Sequence, residues 1–256
     1  MIAKLLVLCY AIVMMAGCNA TDSIDEAGDK VNYATALPGE SAVLITHNGF
    51  TISYLDKYLN AEWVTYVLTK ANVLTHIPRT DEYTPDPKHE HSATREDYRH
   101  SGYDRGHLFP AANSWTQEIM EESFYYTNIS PQNNDFNSGV WNRIENLVRN
   151  WAIEYDTIHV VTGQILHDEL KTIGSGVKVP EYLFKVVVVN TKTVQKGIAF
   201  LVKNEKSTIT DNKHFAITID ALEAKTGMDF CVNLPEDTEK HIEQDNAIDT
   251  WSFRNN

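Results

Sequence analysis

The sequence predicts an α+β fold, a central antiparallel sheet flanked by helices, and three observations lead there. Asn48-Gly49, set between the apolar runs 42–47 and 50–54, is the strongest short hairpin signal, because both residues tolerate the positive φ of a tight turn. The runs 158–162, 182–189 and 197–202 are nearly continuously apolar and read as buried strands. From Asn137 to Trp151 the apolar residues Val140, Ile144, Leu147, Val148 and Trp151 recur at steps of three and four, the period of an amphipathic helix.

The chain of 256 residues is long enough for one sizeable core. Residues 1–17 read as a leader. Lys4 precedes an apolar run, Leu5 to Met15, that is too short to span a membrane permanently and suits a signal segment. Met15-Ala16-Gly17-Cys18 resembles a bacterial lipobox, in which Cys18 becomes the lipid-bearing first residue; an ordinary signal peptide cut elsewhere is the other reading. The expectation is an exported protein anchored by lipid in the bacterial cell envelope, at the outer membrane or the periplasmic face. Residues 18–40, rich in Asp and Glu and poor in large apolar residues, read as an acidic tether.

A domain over 41–235 follows. After the hairpin, residues 63–68 form another strand, and 81–100, rich in Pro, charge and His, reads as an irregular surface loop. His89-Glu90-His91 within it suggests a metal site, but the expected state is solvated. The strand at 158–162 is expected to close at Gly163, and residues 219–226 form a helix stopped by Gly227. Residues 236–256 read as an acidic, solvated tail, although Trp251 and Phe253 would suit docking. With Cys9 and Cys18 assigned to the leader and the lipid, Cys231 is left alone and reads as a small buried residue.

The chemistry concentrates between Asp104 and Arg149. Asp104-Arg105-Gly106-His107, Pro110-Ala111-Ala112, Thr127-Asn128, Pro131-Gln132, then Asn137, Trp141, Glu145 and Arg149 supply a histidine for proton transfer, oxygens for a hard cation and guanidiniums for phosphate. Asn137, Trp141, Glu145 and Arg149 lie four apart and would form one stripe along the helix. A phosphodiester resists attack because its oxygens are already negative, so this set suits metal-assisted phosphodiester hydrolysis.

That stretch resembles the sugar-nonspecific DNA/RNA endonucleases, the Serratia-nuclease type within the ββα-metal (His-Me finger) group. The likeness runs loosely from residue 42 to 234, and the predicted strands and last helix resemble that family's sheet and final helix. It implies a ββα-metal motif, with His107 as general base, Asn137 as direct ligand to Mg²⁺ (Mn²⁺ as an alternative), and Glu145 orienting the metal's waters. It also implies Arg105 and Arg149 at the phosphate, Asn128 in a supporting task, and Arg79, matched by order alone, as a further functional arginine. DNA and RNA would be the substrates, held through their phosphates, with the membrane a partner only through Cys18.

The formal net charge of −13 opposes a polyanionic substrate at long range. Six of the seven arginines nevertheless fall between residues 79 and 149, a local positive site on an acidic body; Arg95, Arg99 and Arg143 would serve equally as surface ion-pair partners. A serine esterase is disfavoured, since no Gly-x-Ser-x-Gly turn occurs. The remaining alternative is a nucleic-acid-binding surface lipoprotein with impaired catalysis, against which the full set His107, Asn137 and Glu145 argues.

Overall fold

A computed structural model describes residues 32–244 and 248–254. In chain order it runs β1 (Val43–Thr46), β2 (Thr51–Leu55), β3 (Asn60–Thr69), α1 (Lys70–Leu74), α2 (Arg95–Tyr98), β4 (Asp104–His107), α3 (Gln117–Ser123) and β5 (Ile129–Gln132). Then follow α4 (Asn142–Tyr155), β6 (Thr157–Gln164), β7 (Thr172–Ile173), β8 (Val177–Lys178), β9 (Tyr182–Asn190), β10 (Gln195–Lys203), β11 (Ala216–Ile217), α5 (Ile219–Thr226) and α6 (Glu236–Glu243). Seven strands form one sheet in the order β1-β2-β3-β6-β9-β10-β11, every neighbouring pair antiparallel, while β4 pairs only with β5.

Both faces of the sheet are covered, which explains strands apolar at every position. Along β9, Leu183, Val187 and Val189 join the α4 face with Ile144, Leu147 and Trp151, whereas Phe184, Val186 and Val188 join the opposite face with Ile219, Leu222 and Ile242. Trp151 is fully buried between the sheet and Trp251, and burial of a side chain that size contributes about 2–3 kcal/mol. The α+β reading and the antiparallel sheet therefore hold, with the hairpin at Asn48-Gly49 in register.

Several boundaries differ from the sequence reading. The strand expected to close at Gly163 runs on to Gln164: a Cβ at residue 163 would stand 2.3 Å from the Phe184 ring, so this glycine permits a close approach inside the sheet. The segment 32–37, assigned to the tether, is docked, with Ala34 and Ala36 buried and Leu37 N donating to Asp229 O at 3.0 Å. Residues 1–31 lie outside the described residues, and with them the leader, Cys18 and most of the tether. The tail is not simply solvated: α6 buries Ile242 against the sheet beside Gly197, and Trp151 Nε1 donates to Ser252 O at 2.7 Å. Glu236 and Asp237 stay exposed on it, so composition hid a helix that docks by Ile242. The loop 81–100 is anchored as well. Asp97 accepts from Thr94 and Ser175, Asp86 from His47 and Thr127, and His89 rests on Asp56 at 2.7 Å and against the Tyr54 ring instead of in solvent.

Candidate active site

The β4–β5 hairpin and the start of α4 build the site. Period-two alternation puts Arg105 and His107 on one side of β4. Between them Gly106 pairs with Ser130 and lies against Gln132 so closely that a Cβ would sit 2.1 Å from its side chain. Asn128 holds the chain that leaves the hairpin: its Oδ1 accepts from Phe109 N at 2.8 Å and its Nδ2 donates to Phe109 O at 3.0 Å and Ser123 O at 2.8 Å.

The predicted helix from residue 137 is broken. A wide π-type turn spans Phe136–Trp141 with non-helical backbone at Gly139 (φ −99°, ψ −108°), and regular helix starts only at Asn142. Asn137, on the far side of Gly139, therefore leaves the regular four-residue stripe, while Trp141 (φ −65°, ψ −49°) keeps helical dihedrals and runs on into α4 ahead of Glu145 and Arg149. Trp141 turns inward, stacks on Phe136 at 5.3 Å and is buried. Asn137 still reaches the site, because the kink carries it to the mouth of the same pocket.

That pocket, about 280 Å³, is lined by Arg79, Tyr83, Arg105, His107, Asn137, Glu145 and Arg149 together with Pro110, Ala111, Ala112, Ser138 and Asn142. His107 Nε2 has no hydrogen-bond partner among the described residues. Burial, helped by the charges of Arg79 and Arg105, lowers its pKa from 6.5 to about 3, so the imidazole is neutral and able to accept a proton at neutral pH. Arg105 lies over the Tyr83 ring at 3.9 Å, and Arg79 over Phe124 at 5.0 Å while pairing with Asp81 at 3.0 Å. Arg149 is fixed from two sides, donating to Asn113 Oδ1 at 3.2 Å and Asn146 Oδ1 at 2.6 Å.

Two oxygen donors suit a hard divalent ion. Asn137 Nδ2 donates to Asp104 Oδ2 at 3.0 Å; a carboxylate can only accept, so the amide orientation is fixed and the carbonyl oxygen is left free. Glu145 makes no hydrogen bond or ion pair among the described residues, and burial raises its pKa, opposed by Lys185, Arg149 and Arg79. An amide oxygen and a carboxylate without protein partners fit an ion that keeps several waters.

Six of the sequence-predicted residues, His107, Arg105, Arg79, Asn137, Glu145 and Arg149, thus share one pocket. Asn128 does not line it and is wholly buried behind it. Four contributors carried no assigned role in the sequence reading: Asp104 behind Asn137, although it opens the motif, Tyr83 under Arg105, Asn113 beside Arg149, and Lys185. Lys185 is fully buried, donates to Thr162 Oγ1 and lies 4.9 Å from the centre of the Trp141 ring; burial lowers its pKa to about 8, with Glu145 acting to raise it. A lysine inside the apolar run 182–189 was the available signal.

The chain is similar to known nucleases. The family model described as DNA/RNA non-specific endonuclease matches residues 28–237. Mitochondrial nuclease EXOG of Mus musculus is 31% identical over 225 residues, covering 80% of this chain and 60% of the mouse protein. Mitochondrial endonuclease G of Bos taurus is 30% identical over 224 residues, covering 81% of this chain and 74% of the bovine one. A crystal structure of EndoG in complex with EndoGI, concerned with the mechanism of EndoG inhibition, matches with a TM-score of 0.72 at 26% identity, over 79% of this chain and 90% of that one. The chain spans about 60% of the length of the mouse relative. A family match across most of the chain, with relatives at this identity, agrees with the resemblance carried by Asp104 to Arg149: this chain belongs to the DNA/RNA non-specific endonuclease family.

Proposed function

We propose that this protein is a metal-dependent endonuclease that hydrolyses phosphodiester bonds in DNA and RNA without reading sequence. The observation that carries the reading is one pocket holding a neutral, unpartnered imidazole, two free oxygen donors and three guanidiniums. His107 takes a proton from a water, whose oxygen forms the new bond to phosphorus as one ester oxygen departs. Arg105 and Arg149, with Arg79 at the rim, hold the phosphate and the charge that develops on it. Asn137 would hold Mg²⁺, or Mn²⁺ as an alternative, directly, and Glu145 would do so through its waters. The chemistry such an ion supplies when bound is neutralisation of the phosphate and stabilisation of the leaving oxygen. Asn128 supports His107 by fixing the backbone of Phe109.

The completeness of this set speaks against a binding protein with impaired catalysis. Digestion of plasmid DNA and of RNA with Mg²⁺, Mn²⁺ or EDTA tests the reading: cleavage of both polymers at many positions, abolished by EDTA, is expected, and binding without cleavage under every metal would refute it. For location, we propose export by residues 1–17 and lipid attachment at Cys18, placing the domain at the cell envelope. A nuclease for both polymers would threaten its own cell from the cytoplasm, which supports export. Fractionation tests it, since a soluble mature protein that starts elsewhere than Cys18 would contradict the anchor.

A further inference from the structure

Helix α4 walls a second space. Asn146, Arg149, Asn150 and Ile153 fall at i, i+3, i+4 and i+7, one face of the helix, and all four line a cavity of about 420 Å³ next to the catalytic pocket. Arg79, Ala111, Ala112 and Arg149 line both spaces, so the two share a wall with Arg149 at their junction.

Three features mark it as a binding site. In a chain of formal charge −13, no Asp or Glu among the described residues lines this cavity, while Arg79, Arg149 and His76 do. The exposed pair of Arg79 with Asp81 offsets little of that charge. Polar capacity is unmet: Ser114, 3% exposed, has a hydroxyl without a partner, and the side chain of Asn150 makes no hydrogen bond among the described residues. Large apolar side chains stand in water at the same place, Leu74 at 65% exposure and Ile153 at 37%.

We propose that this cavity binds the nucleoside next to the phosphate being cleaved, its base lying against Leu74 and Ile153 and out of the stack, with its edge toward Asn150. This rests on the endonuclease reading of the adjoining pocket. The volume falls in the range of small-ligand sites, roughly 300–1,000 Å³, and the shared arginines place a phosphate at the junction. An amide both donates and accepts, so Asn150 meets the edge of any base and preserves cutting without sequence preference. The favoured substrate is therefore a strand whose bases leave the stack at little cost, single-stranded or frayed, over rigid duplex.

The test uses Asn150→Ala and Ile153→Ser, neither of which touches the catalytic groups. Binding of a fluorescent single-stranded DNA oligonucleotide is measured in EDTA, where no turnover is needed, beside a strand of the same length made of abasic sugar–phosphate. Hydrolysis of bis(4-nitrophenyl) phosphate with Mg²⁺, a diester without a base, is measured in parallel. Both variants are expected to bind the normal strand roughly tenfold more weakly, to bind the abasic strand like the wild type, and to keep the wild-type rate on the base-free diester. Wild-type affinity for the normal strand in both variants, or equal loss on both strands, would overturn the proposal. A wild-type protein that hydrolyses nothing would count against the endonuclease reading, and the binding comparison would still decide the cavity.

Discussion

Asp104 decides which way Asn137 points. With Nδ2 of Asn137 committed to the carboxylate 3.0 Å away, and Asn134 donating to the same group at 3.1 Å, the amide cannot rotate freely and its oxygen stays available. Asp104→Ala should therefore loosen metal binding about 10- to 100-fold although Asp104 touches no ion, read as a rise in the Mg²⁺ concentration for half activity. An unchanged midpoint would show that Asn137 needs no such support. His107 permits a pH prediction of definite sign. Burial first, and then two guanidiniums, lower its pKa from 6.5 to about 3, so the free imidazole stays neutral through the mildly acidic range. The acid limb that His107 sets in kcat/KM, which reports the free protein, should therefore lie well below pH 6.5. A His107-dependent limb near pH 6.5 would contradict this. The residue types at the site were legible because the chemistry demands them. The roles of Asp104, named in the motif, and of Asn113 and Lys185 were not, since they depend on contacts between residues distant in the chain.

Among the elements, α4 shows where sequence periodicity succeeds and where it stops. The apolar steps from Val140 to Trp151 locate the buried face, but a run of four-residue steps cannot reveal that Gly139 takes non-helical dihedrals and detaches Asn137 from the helix that follows. Helix α6 gives the converse case, an acidic segment whose buried Ile242 weighs little in composition. Its docking brings carboxylates together: one oxygen each of Asp220, Glu223 and Glu243 lie within 4.8 Å of one another, and Glu243 Oε1 is buried with no hydrogen-bond partner among the described residues. Burial and then the neighbouring carboxylates raise the Glu243 pKa from 4.5 to about 8. The folded state thus binds this proton more tightly than the unfolded one, so its stabilising effect is complete below about pH 4.5 and is lost as pH rises through about 8. Glu243→Gln should flatten that loss, raising Tm at pH 9 relative to the wild type more than at pH 6 when both are measured in EDTA. Parallel Tm values across that range would remove Glu243 from the account.

For the whole molecule, the sheet covered on both faces was legible from its continuous apolar strands, because only burial on two sides tolerates them. The docking of residues 32–37 and of α6 was not, since each contributes only a few apolar residues against surfaces built elsewhere in the chain, whereas Trp251 and Phe253 did signal that the chain end docks. The charge arrangement follows the same division. The net charge of −13 is visible in composition, whereas only the fold gathers Arg79, Arg105 and Arg149 around His107. The phosphate contacts proposed for those arginines would be salt-sensitive, so comparisons of variants belong at one ionic strength. The most direct test of the central claim is the turnover of His107→Ala on DNA and RNA with Mg²⁺ at fixed salt, beside its affinity for uncleaved substrate. The account predicts a fall in kcat of roughly 10²–10⁴-fold with affinity nearly unchanged. A variant that cuts both polymers at the wild-type rate would contradict it.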